Sequence, residues 1–456
     1  MKKRLLPGLI TLLAAQPAFS LDLMETYEQA LSYDSGIASA KAQLEAQRAA
    51  TDVTKSTLLP LLSAFAEGNH TDFESRNGIG DDSYRSLSYG VQLTQPVFRA
   101  ENWFRFDASQ FQTDAAEAQY NLAQQQLMLD VSTAYFNVLR AQDTVATAQA
   151  TEAAIQRQYE QAQERFDVGL IAITEVYEAR ASYDDAKSQR IAAENQLNVA
   201  KEQLARLTGD YPEDLDNLRQ NFPLARPEPM NPNAWEATAL KQNWSIQAAL
   251  YELNASEANL KVAKSGHLPT LDLEASYGET DYSGRSFASQ GGEGTQAVIG
   301  LSLNVPLYSG GGTQAGVRQQ RSLVIAAEQD LKTVKRDVQV NTRSLFLTVN
   351  NNIETANALK QTIVSRRSAL DATLAGYDVG TRNIVEVLDA QRAYYVALRD
   401  YANARYDYVV NTLQLKQAAG TLSPEDLLEL NNWLSEGARG IEVLANDKQT
   451  LDSPMQ

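Results

Sequence analysis

The string FDVGLIAITEVYEAR, from Phe166 to Arg180, returns as YDVGTRNIVEVLDAQ from Tyr377 to Gln391, shifted by 211 residues. Smaller landmarks keep the same order in both copies. Leu59-Pro60 answers Leu268-Pro269, and Gln95-Pro96-Val97-Phe98 answers Val305-Pro306-Leu307-Tyr308. Leu207-Thr208-Gly209 likewise answers Ala418-Ala419-Gly420. A period this long is a duplicated half rather than a solenoid unit, so both halves must share one architecture. The boundaries expected from it are 21–209 and 234–420 for the repeats, a linker at 210–233, and a terminal segment at 421–456.

The first twenty residues read as an export signal. Lys2, Lys3 and Arg4 precede an apolar run from Leu5 to Ala15, and Ala18-Phe19-Ser20 offers small residues for cleavage before Leu21. The run is too short to span a bilayer. The chain has no cysteine, which excludes a lipidated mature N-terminus and any disulfide. Cleavage removes three basic and no acidic residues, taking the formal net charge from −17 to −20. Such an excess argues against nucleic acid and fits an acidic surface or a cation-attracting lumen.

After the signal, no window holds about 18 consecutive apolar residues. Three short windows alternate instead. Leu87, Tyr89, Val91 and Leu93 are interleaved with Ser88, Gly90, Gln92 and Thr94. Leu271, Leu273, Ala275 and Tyr277 alternate with Asp272, Glu274, Ser276 and Gly278, and Ile299, Leu301, Leu303 and Val305 with Gly300, Ser302 and Asn304. A fourth window, Leu61 to Asn69, holds the matching place but alternates poorly. These are expected strands of about nine to eleven residues, the length of a tilted membrane strand. Glycine-rich polar stretches, Gly68 to Ser86 and Gly278 to Thr295, are the expected loops, with His70 in the first. The strands of a soluble sandwich would show the same alternation. Four strands cannot close a barrel alone, however, and three copies would supply twelve.

Between the strands lie long helical stretches. Ala100 to Asp167 contains neither proline nor glycine, and its 68 residues would reach roughly 100 Å. Its counterpart runs from Gln314 to Asp378, interrupted only by Gly316 and Gly376, and shorter partners follow at Ile173–Leu207 and Ile384–Ala419. Met24–Lys55 and Ala234–Lys264 are expected to be one helix each. Ala134, Ala141 and Ala148 recur at heptad spacing, which permits close packing. Gly169 and Gly380 fall where each long helix must turn back.

These strings resemble the TolC family of outer-membrane export ducts. The match runs from about Leu21 to Leu434. It rests on TAYFNVL at Thr133–Leu139, RFDVGL at Arg165–Leu170, HLPTLDL at His267–Leu273, and GYDVGTR at Gly376–Arg382 followed by Glu386-Val387-Leu388-Asp389. The resemblance implies a mixed α and β membrane protein in the Gram-negative outer membrane. It would be a homotrimer whose twelve-stranded barrel continues into a periplasmic helical tunnel, with a collar built from 210–233 and residues after Thr421. Glu386 and Asp389, three apart and so on one helix face, would form a cation-attracting constriction of six carboxylates. Tyr377 and Arg382 would tie the inner hairpin to its neighbours, partly through Thr174 and Glu175. Here the chain departs from the family pattern, with Glu at 386 and 175 in place of Asp. Gly169, Leu170, Gly380 and Thr381 would meet a periplasmic adaptor, which recruits an inner-membrane RND or ABC pump. Without the resemblance, the two carboxylates read as solvated helix charges and the glycines as turn residues.

Chemistry is otherwise absent from the pattern. His70 and His267 are the only histidines, too few for a transition-metal cluster. Gly291-Gly292-Glu293-Gly294 lacks the lysine of a phosphate loop. The expected reading is a passive duct for efflux or type I secretion, with no cofactor, no structural metal, no nucleic acid and no enzymatic activity. A secreted structural coiled-coil protein is the alternative.

Overall fold

The computed structural model describes residues 21–73, 82–212, 214–285 and 292–435. The expected signal and the tail beyond 435 lie outside them, as do Gly78, Gly80 and Gly291 of the glycine-rich stretches. Good helix formers without a breaker give α3 (Ala100–Asp167) its full 68 residues, and α7 (Gly312–Asp378) runs for 67. Gly316 and Gly376 do not interrupt α7, because neighbouring turns carry the hydrogen bonding across a single glycine. Each long helix folds back into a shorter one, α4 (Ile173–Thr208) and α8 (Ile384–Ala419).

The helices opening each half differ from expectation. Each is two helices, α1 (Leu23–Tyr33) and α2 (Ser35–Ser56) in the first half, α5 (Pro232–Gln242) and α6 (Trp244–Ser265) in the second. The break has the same cause in both. Asp34 and Asn243 adopt extended backbone, and their side chains accept from Ile37 N (3.0 Å) and Ser245 N (2.9 Å), starting a new helix. Asn243 also donates to Ala418 O at 2.9 Å, fixing the α5–α6 corner against the end of α8.

Four strands form one antiparallel sheet in the order β1–β2–β4–β5: β1 (Leu61–Phe73), β2 (Asp82–Phe98), β4 (Thr270–Arg285) and β5 (Gly292–Asn304). Leu62, Leu93, Ala275 and Ile299 are register partners in one row across all four; Ala64, Val91, Tyr277 and Ala297 form the next. The apolar windows therefore merge into one band. The opposite face carries Ser63, Gln92 and Ser276 in one row, then Phe65, Gly90 and Gly278 in the next. This explains the poor alternation of β1. A Cβ on Gly90 would lie 2.5 Å from Tyr277 O and 3.1 Å from the Phe65 ring. The strands thus approach across a glycine pair, and Phe65 covers the gap from the polar side.

At 13, 17, 16 and 13 residues the strands outrun the expected lengths. Both expected loops begin as strand: His70 pairs with Arg85, and Tyr282 with Gly292. Alternation marks only the part of a ladder with one apolar face; beyond it, polar residues on both faces keep the backbone pairing. No helix among the described residues is long and apolar enough to cross a membrane.

Where sheet meets helix, the Arg99 guanidinium grips Asp272 with two hydrogen bonds of 2.7 Å. The Asp272 side chain is only 9% exposed, that of Arg99 44%. Arg99→Ala is therefore expected to destabilise the protein by about 1–3 kcal/mol, since it leaves a buried carboxylate without its cation while solvent screens part of the loss. Asp272→Asn in the same chain should recover much of that. A melt in which the double variant is as weak as the sum of the singles would contradict the clamp.

Midway along α3 and α7 sits the main core. Val131, Tyr135, Phe136 and Leu139 of α3 meet Phe346, Val349 and Ile353 of α7, Leu204 and Leu207 of α4, and Tyr406, Val409 and Leu413 of α8. Around it, β3 (Asn217–Leu218) pairs with β6 (Leu434–Ser435), and α9 (Pro424–Asn431) packs Leu427 and Leu430 inward. Above this level α3 runs beside α2 and α6; below it, beside α4 and α8. The strict heptad of small residues is on α4, where Ala179, Ala186, Ala193 and Ala200 are buried; Ala141 and Ala148 of α3 are half-buried.

Candidate gate and hairpin tips

Both hairpins end in the same turn, for a stereochemical reason. Gly169 (φ 77°) and Gly380 (φ 76°) take the left-handed conformation, and the two following hydrogen bonds close the helix ends. Gly169 N donates to Phe166 O (2.8 Å) and Leu170 N to Arg165 O (2.9 Å); Gly380 N donates to Tyr377 O (3.0 Å) and Thr381 N to Gly376 O (2.8 Å). Arg382 N and the Thr381 hydroxyl also reach Gly376 O, and a Cβ on Gly376 would lie 2.7 Å from Arg382 Cγ. Val168, Leu170 and Val379 are more than two-thirds exposed, so the tips present apolar side chains outward.

Just inside the tips, Ile155 and Ala186 of the first hairpin pack against Tyr377, Ile384, Val387 and Leu388 of the second. Tyr159 and Tyr183 stack alongside, with ring centroids 6.2 Å apart and planes 8° from parallel. Asn383 caps α8 by accepting from Glu386 N at 2.9 Å, which fixes Glu386 in the first turn. Asp389 follows one turn later and is exposed. Thr174 and Glu175 lie in the first turn of α4, exposed and half-buried.

Within the protomer the six residues expected at the gate are not all joined. Arg382, in the tip turn just before α8, pairs with Glu386 of that helix's first turn at 2.5 Å. Tyr377 is 5% exposed, and its hydroxyl makes no hydrogen bond to any described residue. No hydrogen bond links either residue to Thr174 or Glu175 in the same chain. Two arginines that the sequence pattern did not single out stand nearby. Arg392 lies 3.9 Å from Asp389 and 3.8 Å from Asp185 of α4. The Arg165 guanidinium lies over the Tyr377 ring, 4.6 Å from its centroid. A signal for Arg165 did exist: the repeat aligns it with Gly376, a change of size and charge directly before the matching Phe166/Tyr377, Asp167/Asp378, Val168/Val379 and Gly169/Gly380.

The sequence profile of the outer membrane efflux proteins matches this chain twice, over residues 26–210 and 235–421. The chain belongs to the outer membrane efflux protein family. It is 38% identical to the outer membrane protein TolC of Escherichia coli over 95% of this chain and 90% of that one. It is 28% identical to the alkaline protease secretion protein AprF of Pseudomonas aeruginosa, over 92% and 89%. Among solved structures, CusC superposes with a TM-score of 0.77 at 18% identity, covering 88% of this chain and 92% of that one. The fold is thus the mixed helical and sheet fold of these channels. The protein is an outer-membrane channel of Gram-negative efflux and type I secretion, and the structural coiled-coil alternative falls.

Proposed function

We propose that three copies of this chain form a passive, gated duct from the periplasm to the outside. The observation that supports this best is the sheet. Its edge strands, β1 and β5, are 13 residues each, unpaired along their outer sides within the protomer, and continuous with the apolar band. Ile299, Leu301 and Leu303 are 78, 67 and 65% exposed. In hydrocarbon, open edges are too costly to persist, so β5 of one copy pairs with β1 of the next and twelve strands close. The band then faces lipid and the serine- and glutamine-bearing face lines the lumen.

Below the barrel, four helices per protomer continue the wall through the periplasm to the tips. Gly169, Leu170, Gly380 and Thr381, with their exposed apolar neighbours, dock a periplasmic adaptor, through which an inner-membrane RND or ABC transporter supplies the energy. Six carboxylates, Glu386 and Asp389 from each copy, ring the periplasmic entrance. Each arrives beside an arginine of its own hairpin, so the ring retains charge but is partly balanced, and it favours passing cations. Tyr377 and Arg382 hold the inner hairpins closed against Thr174 and Glu175 of the adjoining hairpins, and their release splays the hairpins like an iris. The duct catalyses no reaction.

Conductance of the purified protein in a planar bilayer tests both parts. The wild type is expected to show a small, cation-preferring conductance, and Tyr377→Phe/Arg382→Ser a clearly larger one. Equal conductances would keep the pore and remove the gate assignment. Inserted protein without any channel would sink the duct.

A further inference from the structure

We propose that Arg165 is the residue by which the first hairpin holds the second one shut, acting through the ring of Tyr377; the inference rests on the duct reading above. Its basis is which contacts cross between the hairpins and which do not. The Arg382–Glu386 pair lies wholly on the second hairpin, so it cannot join the two. Tyr377 is the large polar side chain in the crossing cluster, yet its hydroxyl has no partner within the protomer. From the first hairpin, Ile155 and Ala186 share its cluster and Tyr183 packs against it, while the Arg165 guanidinium lies over the Tyr377 ring, 4.6 Å from the centroid. That is well inside the range at which a cation is attracted to an aromatic face.

Arg165 is free for this task. Among the described residues no carboxylate lies within ion-pair distance of it, unlike Arg382 and Arg392. It stands in the last turn of α3, where a positive charge suits the helix C-terminus, and its carbonyl accepts from Leu170 N in the tip turn. Arg165 therefore ties two things together: the turn at the tip and the ring of Tyr377. Swinging the second hairpin outward must draw Tyr377 from under the guanidinium. The repeat supports the asymmetry. At the equivalent position of the second hairpin, Gly376 leaves room for Arg382 instead, so the second hairpin has no cation at the matching place; its Arg392 reaches Asp185 of the first hairpin at 3.8 Å, farther from the tip. Arg165 is a positioning residue, acting on the gate through Tyr377.

Bilayer conductance of the assembled protein tests this with Arg165→Met, which keeps length and apolar stem but removes the charge, and Arg165→Lys, which keeps a cation. Arg165→Met is expected to shift the closed-to-open ratio by about two- to fivefold per protomer, the range of a partly exposed cation–π contact, and so to raise conductance. Arg165→Lys is expected to restore most of the closure. In a cycle, the Arg165→Met effect should persist beside Tyr377→Phe, which keeps the ring, and vanish beside Tyr377→Leu, which does not. Melting of the assembly should move little, which separates a loosened gate from a damaged fold. The inference is overturned if Arg165→Met conducts like wild type while Tyr377→Phe/Arg382→Ser conducts more. It is overturned equally if Met and Lys behave alike, or if the Met effect survives in Tyr377→Leu. Absence of any channel in the wild type would instead remove the duct reading on which it stands.

Discussion

Gly420→Ala should all but abolish folded protein, whereas the same change at Gly209 should be tolerated. The two glycines are repeat equivalents, 211 residues apart, and end α8 and α4 with nearly the same left-handed backbone, φ 78° and 85°. At either site alanine meets the left-handed penalty of about 1–2 kcal/mol. What differs is the neighbour. A Cβ on Gly420 would lie 2.3 Å from Gln242 O and 2.7 Å from Asn243 N, backbone atoms of the α5–α6 corner. That corner cannot retreat, because the Asn243 side chain anchors it to Ala418 O and caps α6. A Cβ on Gly209 would instead meet the Tyr33 ring at 2.7 Å, and Tyr33 is 61% exposed and free to swing out. The expected cost at Gly420 therefore exceeds about 4 kcal/mol, the range where backbone overlap and strain combine. Yield of assembled protein in the outer membrane, followed by a thermal melt, compares the two. Similar melts for both variants would mean that the α5–α6 corner yields, and that its packing is looser than the geometry shows.

That contrast also shows what a sequence repeat conveys and what it does not. The repeat, the absence of breakers in α3, and the turn glycines were enough to lay out strands and hairpins, because each is a local consequence of backbone chemistry. Strand ends were not legible, since pairing of polar residues such as His70 with Arg85 leaves no alternation to detect. The poor alternation of Leu61 to Asn69, where Phe65 falls, had the opposite reason. The place of Phe65 on the polar face follows from Gly90 and Gly278, which lie on two other strands. The corners at Asp34 and Asn243 did carry a local signal, an Asx residue able to cap. In a helix-rich stretch that signal is outweighed by propensity until the tertiary anchor, Asn243 to Ala418 O, decides it.

Near the hairpin tips the division is similar. Glu386 and Asp389 share a face by helical geometry alone, and the four-residue spacing of Arg382 and Glu386 already permits the pair that forms. The position of Arg165 over Tyr377 has no such local basis. It depends on how the ends of two helices more than two hundred residues apart are brought level, which is set by the core halfway along them. The same holds for Arg392, whose approach to Asp185 joins α8 to α4.

Raising the pH past the tyrosine range should unfold the core around β3 and β6 steeply. Tyr27, Tyr135, Tyr406 and Tyr408 are all buried there, and each is held above the ordinary tyrosine value. Burial is the chief cause in every case. For Tyr406 the Asp143 carboxylate adds to it, accepting the hydroxyl proton at 2.6 Å; for Tyr135 the nearby charge of Asp216 does so. The sign follows from proton binding. Above about pH 10 the unfolded chain has released these protons while the folded chain still holds them, so stability falls as pH rises. Below about pH 10 the stabilisation is fully present. Each tyrosine in this condition costs about 1.4 kcal/mol per pH unit, so Tyr135 and Tyr406 alone account for about 2.8 kcal/mol per pH unit. Unfolding followed by far-ultraviolet dichroism between about pH 9 and about pH 11 should therefore show a steep loss that coincides with tyrosinate absorbance. Tyr406→Phe separates this from a general effect of alkali. It removes a hydrogen bond to a buried carboxylate, so it should be less stable at neutral pH by about 1–3 kcal/mol. Yet it also removes one proton from the balance, so its decline above about pH 10 should be shallower by about 1.4 kcal/mol per unit. The two curves should converge as pH rises. Parallel curves would show that the alkaline transition begins elsewhere, with Tyr406 merely a bystander in it.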